Sequence, residues 1–359
     1  MPVAQVNDKG IELAYLDSGV PTSGGNFTTL VIIHGYCWSG DIFQKVIDIA
    51  PSRGVRIIAL NRRDYTGSSP FTPEEMAPIR AEDCNAVTLK AFLRDRSEEY
   101  AGFLKHIIDG GGVTKPIGKK GGIALMAWSL GNVFGLNFLE NVTFLPAPLK
   151  ELVTTYVRSF ILFDPPFEAV ALPPPAPQYS EWSNKILARF IDPTDPGNLT
   201  NLMDGVKAIN NWFTGWYSYT DTSLDPVVRF VRAKELQGPT GTKETTRDKE
   251  QTNTNFTDCN VSGAFTNENT IMKGIYNDVF NSTARSLVLS KDGAAKLWPG
   301  MEIKYIYCEN SCWTCVYAAE TTKKSFEGNG RKVEVIRNAN HFVQWEDPEL
   351  FINGVLPVL

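Results

Sequence analysis

The 359-residue chain lacks the features that define several classes of protein. Its six cysteines are too few for a disulfide scaffold in a chain of this length. No run approaches the roughly 18 to 20 consecutive apolar residues that a membrane-spanning helix needs. The 40 acidic and 35 basic residues are spread along the chain and give a formal net charge of -5, which favours neither nucleic acid nor a membrane surface. A small-molecule substrate is therefore the expected partner, and the oligomeric state is left open.

The first residues show no secretion signal. Residues 1–10 contain no basic segment followed by an apolar stretch, so we expect a soluble, cytoplasmic protein. Asn-x-Ser/Thr sequences such as Asn26-Phe27-Thr28 would be modified only in a secreted chain, and we interpret them as chance matches.

Three of the cysteines, Cys308, Cys312 and Cys315, lie close together. Such spacing occurs at metal sites, but a zinc site usually needs a second pair of ligands. The other three are isolated in the sequence: Cys37, Cys84 and Cys259. We therefore interpret the cysteines as packed free thiols and expect no metal and no cofactor.

Short apolar segments rich in β-branched residues alternate with segments of helical periodicity. This alternation predicts an α/β fold with a mostly parallel sheet covered by helices on both faces. The predicted strands are 11–16, 29–33, 55–60, 122–127, 159–163, 302–307 and 332–336, and the predicted helices are 42–50, 81–108, 130–139 and 348–355.

The alternation is interrupted between residues 168 and 295. A proline-rich stretch at 171–178 is followed by a segment with many large aromatic side chains. We interpret 168–295 as an inserted, mainly helical cap, and 1–167 together with 296–359 as the core domain. Within the cap, 235–260 is polar and rich in threonine, so we predict no regular structure there.

The segment Ala127-Trp128-Ser129-Leu130-Gly131 follows a predicted strand and opens a predicted helix. A serine at such a turn holds its hydroxyl above the sheet edge, and the turn needs small residues two positions before and after it. Ala127 and Gly131 meet this requirement. Ser129 is therefore the candidate nucleophile, and the backbone amide of Leu130 is a candidate oxyanion donor.

A second oxyanion donor is expected from His34-Gly35-Tyr36-Cys37-Trp38, which directly follows a buried strand. The backbone amide of Tyr36 can face the same oxyanion as that of Leu130. We then expect Tyr36, Trp38 and Leu130 to contact the substrate.

Only three histidines are available as a general base. His106 lies within a predicted amphipathic helix, and we interpret His34 as a residue that hydrogen-bonds its own loop. His341 follows the last predicted strand, where an imidazole can reach across the sheet edge. It can accept the proton of Ser129 if an acid orients its other ring nitrogen.

Four motifs in this order resemble the α/β-hydrolase family over nearly the whole chain. They are the His34-Gly35 loop, an Asp-x-x-Gly-x-Ser sequence that begins at Asp64, the Ser129 turn and the segment that begins at His341. The first position of the serine turn is alanine, where glycine is commoner. The resemblance implies an α/β-hydrolase fold with a serine nucleophile.

The acid is the residue at which this sequence departs from the family. Members commonly carry it after the strand that corresponds to 302–307, in a Gly-Glu-x-Asp context, whereas this chain has Cys308-Glu309-Asn310-Ser311. Some members place the acid one strand earlier, where this chain has Asp164 followed by two prolines. We favour Asp164 and keep Glu309 as the alternative.

A serine nucleophile predicts acyl transfer, since members of this fold that hydrolyse epoxides or haloalkanes use an aspartate at the same turn. We expect hydrolysis of a carboxylic ester or lactone of a medium-sized hydrophobic substrate, through an acyl-enzyme. Two alternatives stay open: an acyltransferase or lyase that uses the same three residues, and a ligand-binding protein without catalysis.

Overall fold

The computed structural model describes residues 1–173, 213–219, 234–236, 267–268, 270–272, 283, 285–290 and 292–359. Most of the predicted cap, 168–295, therefore lies outside the described residues, and its helical character and boundaries stay predictions. Most of the predicted irregular segment 235–260 also lies outside them. Residues 235 and 236 are described, and they belong to a short strand.

The strands are β1 (Val3–Gln5), β2 (Glu12–Asp17), β3 (Thr29–Ile33), β4 (Arg56–Leu60), β5 (Ile123–Trp128), β6 (Val157–Phe163), β7 (Trp216–Ser218), β8 (Lys234–Leu236), β9 (Glu302–Cys308) and β10 (Val333–Ile336). Eight of them form one sheet in the order β1-β2-β4-β3-β5-β6-β9-β10. In this sheet β2 is antiparallel to both of its neighbours, and all other pairs are parallel. β7 and β8 form a separate antiparallel pair.

The helices are α1 (Gln44–Ile49), α2 (Pro73–Arg80), α3 (Ala86–Asp109), α4 (Gly131–Asn141), α5 (Ala147–Tyr156), α6 (Gly293–Leu297), α7 (Trp313–Gly328), α8 (Val343–Glu346) and α9 (Pro348–Val355). None of these described helices is both long and apolar enough to cross a membrane. The predicted α/β fold with a mostly parallel sheet flanked by helices is confirmed.

Some helices differ from those that the apolar spacing predicts. The helix predicted over 81–108 begins only at Ala86, because the side-chain oxygen of Asn85 accepts hydrogen bonds from the amides of Val87 and Thr88, at 2.9 and 3.2 Å. The spacing does not predict α2, α5 or α7. In α2 the sequence is misleading, since it contains Pro78, a residue that usually ends a helix.

The carboxyl ends of the central strands lie at one edge of the sheet. Every residue of β3, β4 and β5 is buried, as expected for strands covered on both faces. β5 ends at Trp128, which pairs with the last residue of β6, Phe163. Ligands of open α/β sheets bind outside these ends. Ser129 and Asp164, which follow the two strands, are therefore placed near each other by the sheet itself.

Buried charged side chains attach the loop after β4 to α3. Glu99 accepts two hydrogen bonds from Arg96, both at 2.9 Å, and one from Arg63 at 2.8 Å. Arg63 also pairs with the half-buried Glu75 at 2.8 Å. The two buried guanidinium groups of Arg63 and Arg96 thus share the buried carboxylate of Glu99, and Glu75 supplies a second carboxylate.

We expect Glu99→Gln to lower the free energy of unfolding by about 3 kcal/mol, because it leaves the two guanidinium groups with only the carboxylate of Glu75. Glu98→Gln, on the exposed side of α3, is the matched control and should change that free energy by less than about 0.5 kcal/mol. Urea-induced unfolding measures both variants. Equal stabilities for the two would contradict the role assigned to the network.

Candidate active site

Ser129 lies in a tight turn between β5 and α4. Its φ of 55° is in the left-handed region, which a serine adopts only where the surrounding structure imposes it. The turn also needs small residues, because a Cβ on Gly131 would lie 2.4 Å from the carbonyl oxygen of His34. A Cβ on Gly35 would lie 2.9 Å from the Cβ atom of Ser129. The close packing fixes the position from which the serine hydroxyl projects.

The hydroxyl of Ser129 contacts His341, which comes from the loop between β10 and α8. Ser129 Oγ lies 2.9 Å from His341 Nε2, and both side chains are buried. The indole N–H of Trp128 donates to the backbone carbonyl of His341 at 3.2 Å and holds this loop. In this geometry an imidazole can remove the proton of a hydroxyl.

Asp164 supplies a carboxylate on the other side of the imidazole. Its Oδ2 lies 2.6 Å from His341 Nδ1, and its Oδ1 accepts a hydrogen bond from the backbone amide of Cys308 at 3.0 Å. The hydroxyl of Ser311 donates to the same Oδ2. The backbone of Asp164 is left-handed, with a φ of 46°, which turns the side chain from the end of β6 toward His341.

Glu309, the alternative acid, is used elsewhere. Its carboxylate accepts a hydrogen bond from the backbone amide of Asn338 at 3.1 Å and pairs with Arg337 at 3.3 Å. The side chain is 39% exposed, whereas that of Asp164 is completely buried. Glu309 therefore fixes the turn after β10, and Asp164 is the carboxylate that contacts His341.

The surroundings of His341 favour its protonated form. Burial alone would lower the pKa of this imidazole, but the hydrogen bond with Asp164 and the negative charges of Cys312 and Asp164 raise the pKa above its usual value. The carboxylate thereby stabilises the imidazolium that forms when His341 accepts a proton.

We expect the acidic limb of the pH profile of kcat/KM to lie above the ordinary histidine pKa of about 6.5, since His341 must be neutral to accept a proton and its pKa is raised. Activity should therefore increase as the pH rises through this raised pKa. Initial rates of ester hydrolysis over a pH series measure the limb. Cys312→Ser removes the other titrating group beside the ring, together with a charge that raises the pKa of His341, so an acidic limb that persists in this variant belongs to His341. A limb below the ordinary histidine value would contradict the assignment.

The carbonyl group of Gly35 is held by two donors, and this orients the next amide. His34 Nδ1 and Arg62 Nη2 each donate to the Gly35 oxygen at 2.9 Å. The carbonyl and the following N–H of a trans peptide point in opposite directions, so the N–H of Tyr36 is directed away from these donors. Gly35 packs against the Cβ of Ser129, so the amide of Tyr36 follows a backbone that lies close to this residue.

Leu130, the other predicted oxyanion donor, is the residue directly before α4. The first amides of a helix have no acceptor within the helix, and negative charge is favoured at that end. The positions of Leu130, next to Ser129 in the chain, and of Tyr36, next to Gly35, are therefore consistent with the predicted role of their backbone amides as oxyanion donors.

The other two histidines do not reach Ser129 in this arrangement. Both ring nitrogens of His34 are occupied, since its Nε2 accepts a hydrogen bond from the backbone amide of Arg62 at 3.1 Å. Burial and the charge of Arg62 lower the pKa of His34 well below its usual value, so this ring stays neutral. His106 lies on α3, where its ring packs against Tyr15 with centroids 6.1 Å apart.

Aromatic rings surround the imidazole of His341. The rings of Trp128, Phe213 and Phe342 lie with their centroids 5.0, 5.6 and 5.6 Å from it. Trp38, a predicted substrate contact, packs edge-on against Phe342 at 4.9 Å and Phe213 at 6.0 Å. Phe213 lies in the predicted cap, and no local sequence signal connects it with His341. These rings restrict the orientation of the imidazole and exclude water from it.

Two cysteines also lie beside the imidazole. The sulfur atoms of Cys312 and Cys315 are 3.5 Å apart, and Cys315 Sγ lies 3.8 Å from His341 Nδ1. Ligand atoms of these three residues lie within 4.8 Å of one another, and their types are those that bind zinc. A metal there would have to displace the hydrogen bond between His341 and Asp164.

The described cysteines are free thiols, and Cys259 lies outside the described residues. Unlike Phe213, three other residues near the site that we did not predict as part of it have a recognisable signal in the sequence. Cys312 and Cys315 have Cys-x-x-Cys spacing at the start of a helix, and Ser311 occupies the position at which the family commonly has its acid.

The sequence model of the Alpha/beta hydrolase family matches residues 30–353, a range that contains Ser129, Asp164 and His341. The chain belongs to this family. The resemblance that we inferred from four motifs is thereby confirmed. No curated protein matches the chain in sequence.

Solved structures with the α/β-hydrolase fold are similar to this chain at low identity. An esterase from Thermogutta terrifontis has a TM-score of 0.53 and 13% identity, covering 99% of this chain and 96% of its own. A carboxylesterase from Nitrososphaera gargenis has a TM-score of 0.56 and 14% identity, covering 99% and 97%. An epoxide hydrolase from Vigna radiata has a TM-score of 0.54 and 14% identity, covering 99% and 96%. These likenesses show the fold alone.

Proposed function

We propose that Ser129, His341 and Asp164 are the nucleophile, the general base and the orienting acid of a serine hydrolase that cleaves carboxylic esters or lactones. The observation that carries this proposal is the continuous line of contacts from Ser129 Oγ through both ring nitrogens of His341 to Asp164, at 2.9 and 2.6 Å. Three residues that are distant in sequence meet in the arrangement that acyl transfer requires.

In this reaction His341 Nε2 removes the proton of Ser129 as its Oγ attacks the carbonyl carbon of the substrate. The backbone amides of Tyr36 and Leu130 donate hydrogen bonds to the oxygen that becomes negatively charged. Asp164 stabilises the imidazolium, which protonates the departing alkoxide. When the alcohol leaves, the acyl group remains bound to Ser129. Water, deprotonated by the same imidazole, then releases the acid and restores the serine.

The serine at the turn favours this reaction over epoxide hydrolysis, the activity named for one of the similar structures. On this fold epoxides are opened by an aspartate nucleophile, which forms an alkyl ester. Ser129 forms an acyl ester only with a substrate that already contains a carbonyl group. The rings near His341, together with Tyr36, Trp38 and Leu130, favour a medium-sized hydrophobic substrate.

Acyl transfer to an alcohol or amine is the second candidate. It is favoured by the enclosure of the site, since Ser129 is only 5% exposed and aromatic rings surround His341. A site that admits little water can give the acyl group to another acceptor.

A panel of p-nitrophenyl esters and lactones of increasing chain length tests the proposal. We expect turnover and stoichiometric labelling by a fluorophosphonate, which mass spectrometry locates at Ser129. Repeating the assay with an added alcohol or amine separates transfer from hydrolysis, and an epoxide is the control substrate. Labelling with transfer but no hydrolysis would favour the second candidate, and the absence of both labelling and turnover would overturn the proposal.

A further inference from the structure

The site contains a pair of thiols that the proposed reaction does not use. Cys312 and Cys315 lie at the start of α7 with their sulfur atoms 3.5 Å apart, and both side chains are buried. Cys312 is the residue directly before the first turn of the helix. An S–S bond of about 2.05 Å requires the two sulfurs to approach by about 1.5 Å, so a disulfide between them needs only a local rearrangement.

The two thiols differ in acidity, in the way that disulfide formation requires. Burial alone would raise the pKa of Cys312, but the hydrogen bond with Cys315 and the nearby charge of His341 lower this pKa to about 7. Burial and the neighbouring Cys312 raise the pKa of Cys315 well above its usual value. Near neutral pH, Cys312 is therefore partly the reactive thiolate, and Cys315 keeps its proton until it attacks.

The thiol pair is also connected to the carboxylate of the site. The thiol of Cys315 donates a hydrogen bond to the backbone carbonyl of Asp164 at 3.2 Å. Ser311, which precedes Cys312 in the chain, donates to the side chain of Asp164. Drawing the sulfurs together removes the first of these hydrogen bonds and displaces the residue that makes the second.

We propose that Cys312 and Cys315 are a reversible oxidation site, at which a disulfide formed by hydrogen peroxide lowers the activity of the neighbouring residues. The Cys312 thiolate attacks one peroxide oxygen and the O–O bond breaks, which leaves a sulfenic acid on Cys312. The departing hydroxide becomes water by taking up a proton equivalent to the one that Cys312 released when it ionised. Cys315 then attacks this sulfur, an S–S bond replaces the S–O bond, and a second water leaves. Two thiols and one peroxide thus become one disulfide and two waters, with two electrons passing from sulfur to oxygen.

The expected effect is on the rate of the chemical step. Cys315 lies on the Nδ1 side of His341, and the substrate meets Ser129 on the Nε2 side. A displacement of about 1 Å in a catalytic group can cost on the order of 100-fold in rate. We therefore expect the disulfide form to have a kcat lower by at least about tenfold, with a much smaller change in KM. This effect rests on the proposed function, whereas formation of the disulfide does not.

The experiment treats the whole chain with graded hydrogen peroxide and then with dithiothreitol, and follows ester hydrolysis and peptide masses together. Activity should fall in step with the loss of two hydrogens from the tryptic peptide 305–323, and both should recover on reduction. Fragmentation of that peptide distinguishes a bond between Cys312 and Cys315 from one that includes Cys308. Cys312→Ser should abolish the reaction with peroxide, and Cys315→Ser, which can form only the sulfenic acid, should abolish the loss of two hydrogens and the inactivation that accompanies it. Cys84→Ser, at a half-buried thiol outside the site, should keep both effects.

Three results would overturn the inference. The first is a disulfide between Cys312 and Cys315 with unchanged kcat, and the second is inactivation that persists in both serine variants. The third is that Cys312 and Cys315 stay reduced in peroxide, while zinc chloride inhibits ester hydrolysis and a chelator restores it. In that case Cys312, Cys315 and His341 would form a metal site. Circular dichroism establishes that each variant is folded.

Failure of the proposed function would be seen separately. If the untreated protein hydrolyses no ester, the masses still report the disulfide, and the rate of fluorophosphonate labelling at Ser129 reports its effect on the site. An unchanged labelling rate in the disulfide form would then count against the inference.

Discussion

Replacing Ser129 with alanine should abolish ester hydrolysis. We expect Ser129→Ala to lower kcat/KM by at least about 10⁴-fold, because Ser129 Oγ is the nucleophile that His341 Nε2 contacts and that must form the acyl-enzyme. Fluorophosphonate labelling should disappear together with the activity. Initial rates and the intact mass of the labelled protein measure the two effects.

Ser52→Ala is the matched control for this substitution. Ser52 is exposed, and its hydroxyl donates only to the nearby carbonyl of Ile49 at 2.7 Å, so the variant should keep the parental activity. If folded Ser129→Ala still hydrolyses esters at a rate close to that of Ser52→Ala, another residue is the nucleophile.

Local signals in the sequence are enough to place several elements of this fold. The strand predicted over 29–33 coincides with β3, and the helix predicted over 348–355 coincides with α9. The first is a short β-branched run bounded by glycine, and the second has Pro348 at its first position with Asp347 as its cap. The turn at Ser129 also has a local signal, the small residues Ala127 and Gly131, although the need for Gly131 comes from its close approach to the backbone of His34.

The choice of acid could not be made from such local signals. Asp164 and Glu309 both follow strands that end at the same edge of the sheet, so the sequence favours Asp164 without excluding Glu309. The structure separates them through contacts with residues distant in sequence, His341 for Asp164 and Asn338 for Glu309. The contacts of Phe213 with His341 depend in the same way on tertiary packing.

Asp164→Asn should lower kcat by about 10³- to 10⁴-fold, whereas Glu309→Gln should leave kcat close to the parental value. The amide cannot stabilise the imidazolium, and its N–H can hold His341 in the tautomer that has no free acceptor for the proton of Ser129. The acidic limb of any residual activity should move to lower pH, since Asp164 raises the pKa of His341. Steady-state kinetics of both variants over a pH series measure these effects, and the reverse ranking of the two would identify Glu309 as the acid.

A carboxylate at position 311 should compensate in part for the loss of Asp164. Ser311 Oγ lies 3.4 Å from His341 Nδ1, and an aspartate side chain reaches one atom further, so Ser311→Asp can bring an oxygen within hydrogen-bond distance of the ring. In the Asp164→Asn background the new carboxylate faces an amide rather than a second negative charge. We expect the double variant to recover kcat by at least about tenfold, which corresponds to about 1.4 kcal/mol of transition-state stabilisation. Ser311→Ala in the same background should give no recovery. Equal rates for the two double variants would mean that a carboxylate at position 311 cannot orient His341. Of the two positions, only 164, at the end of β6, could then supply the acid.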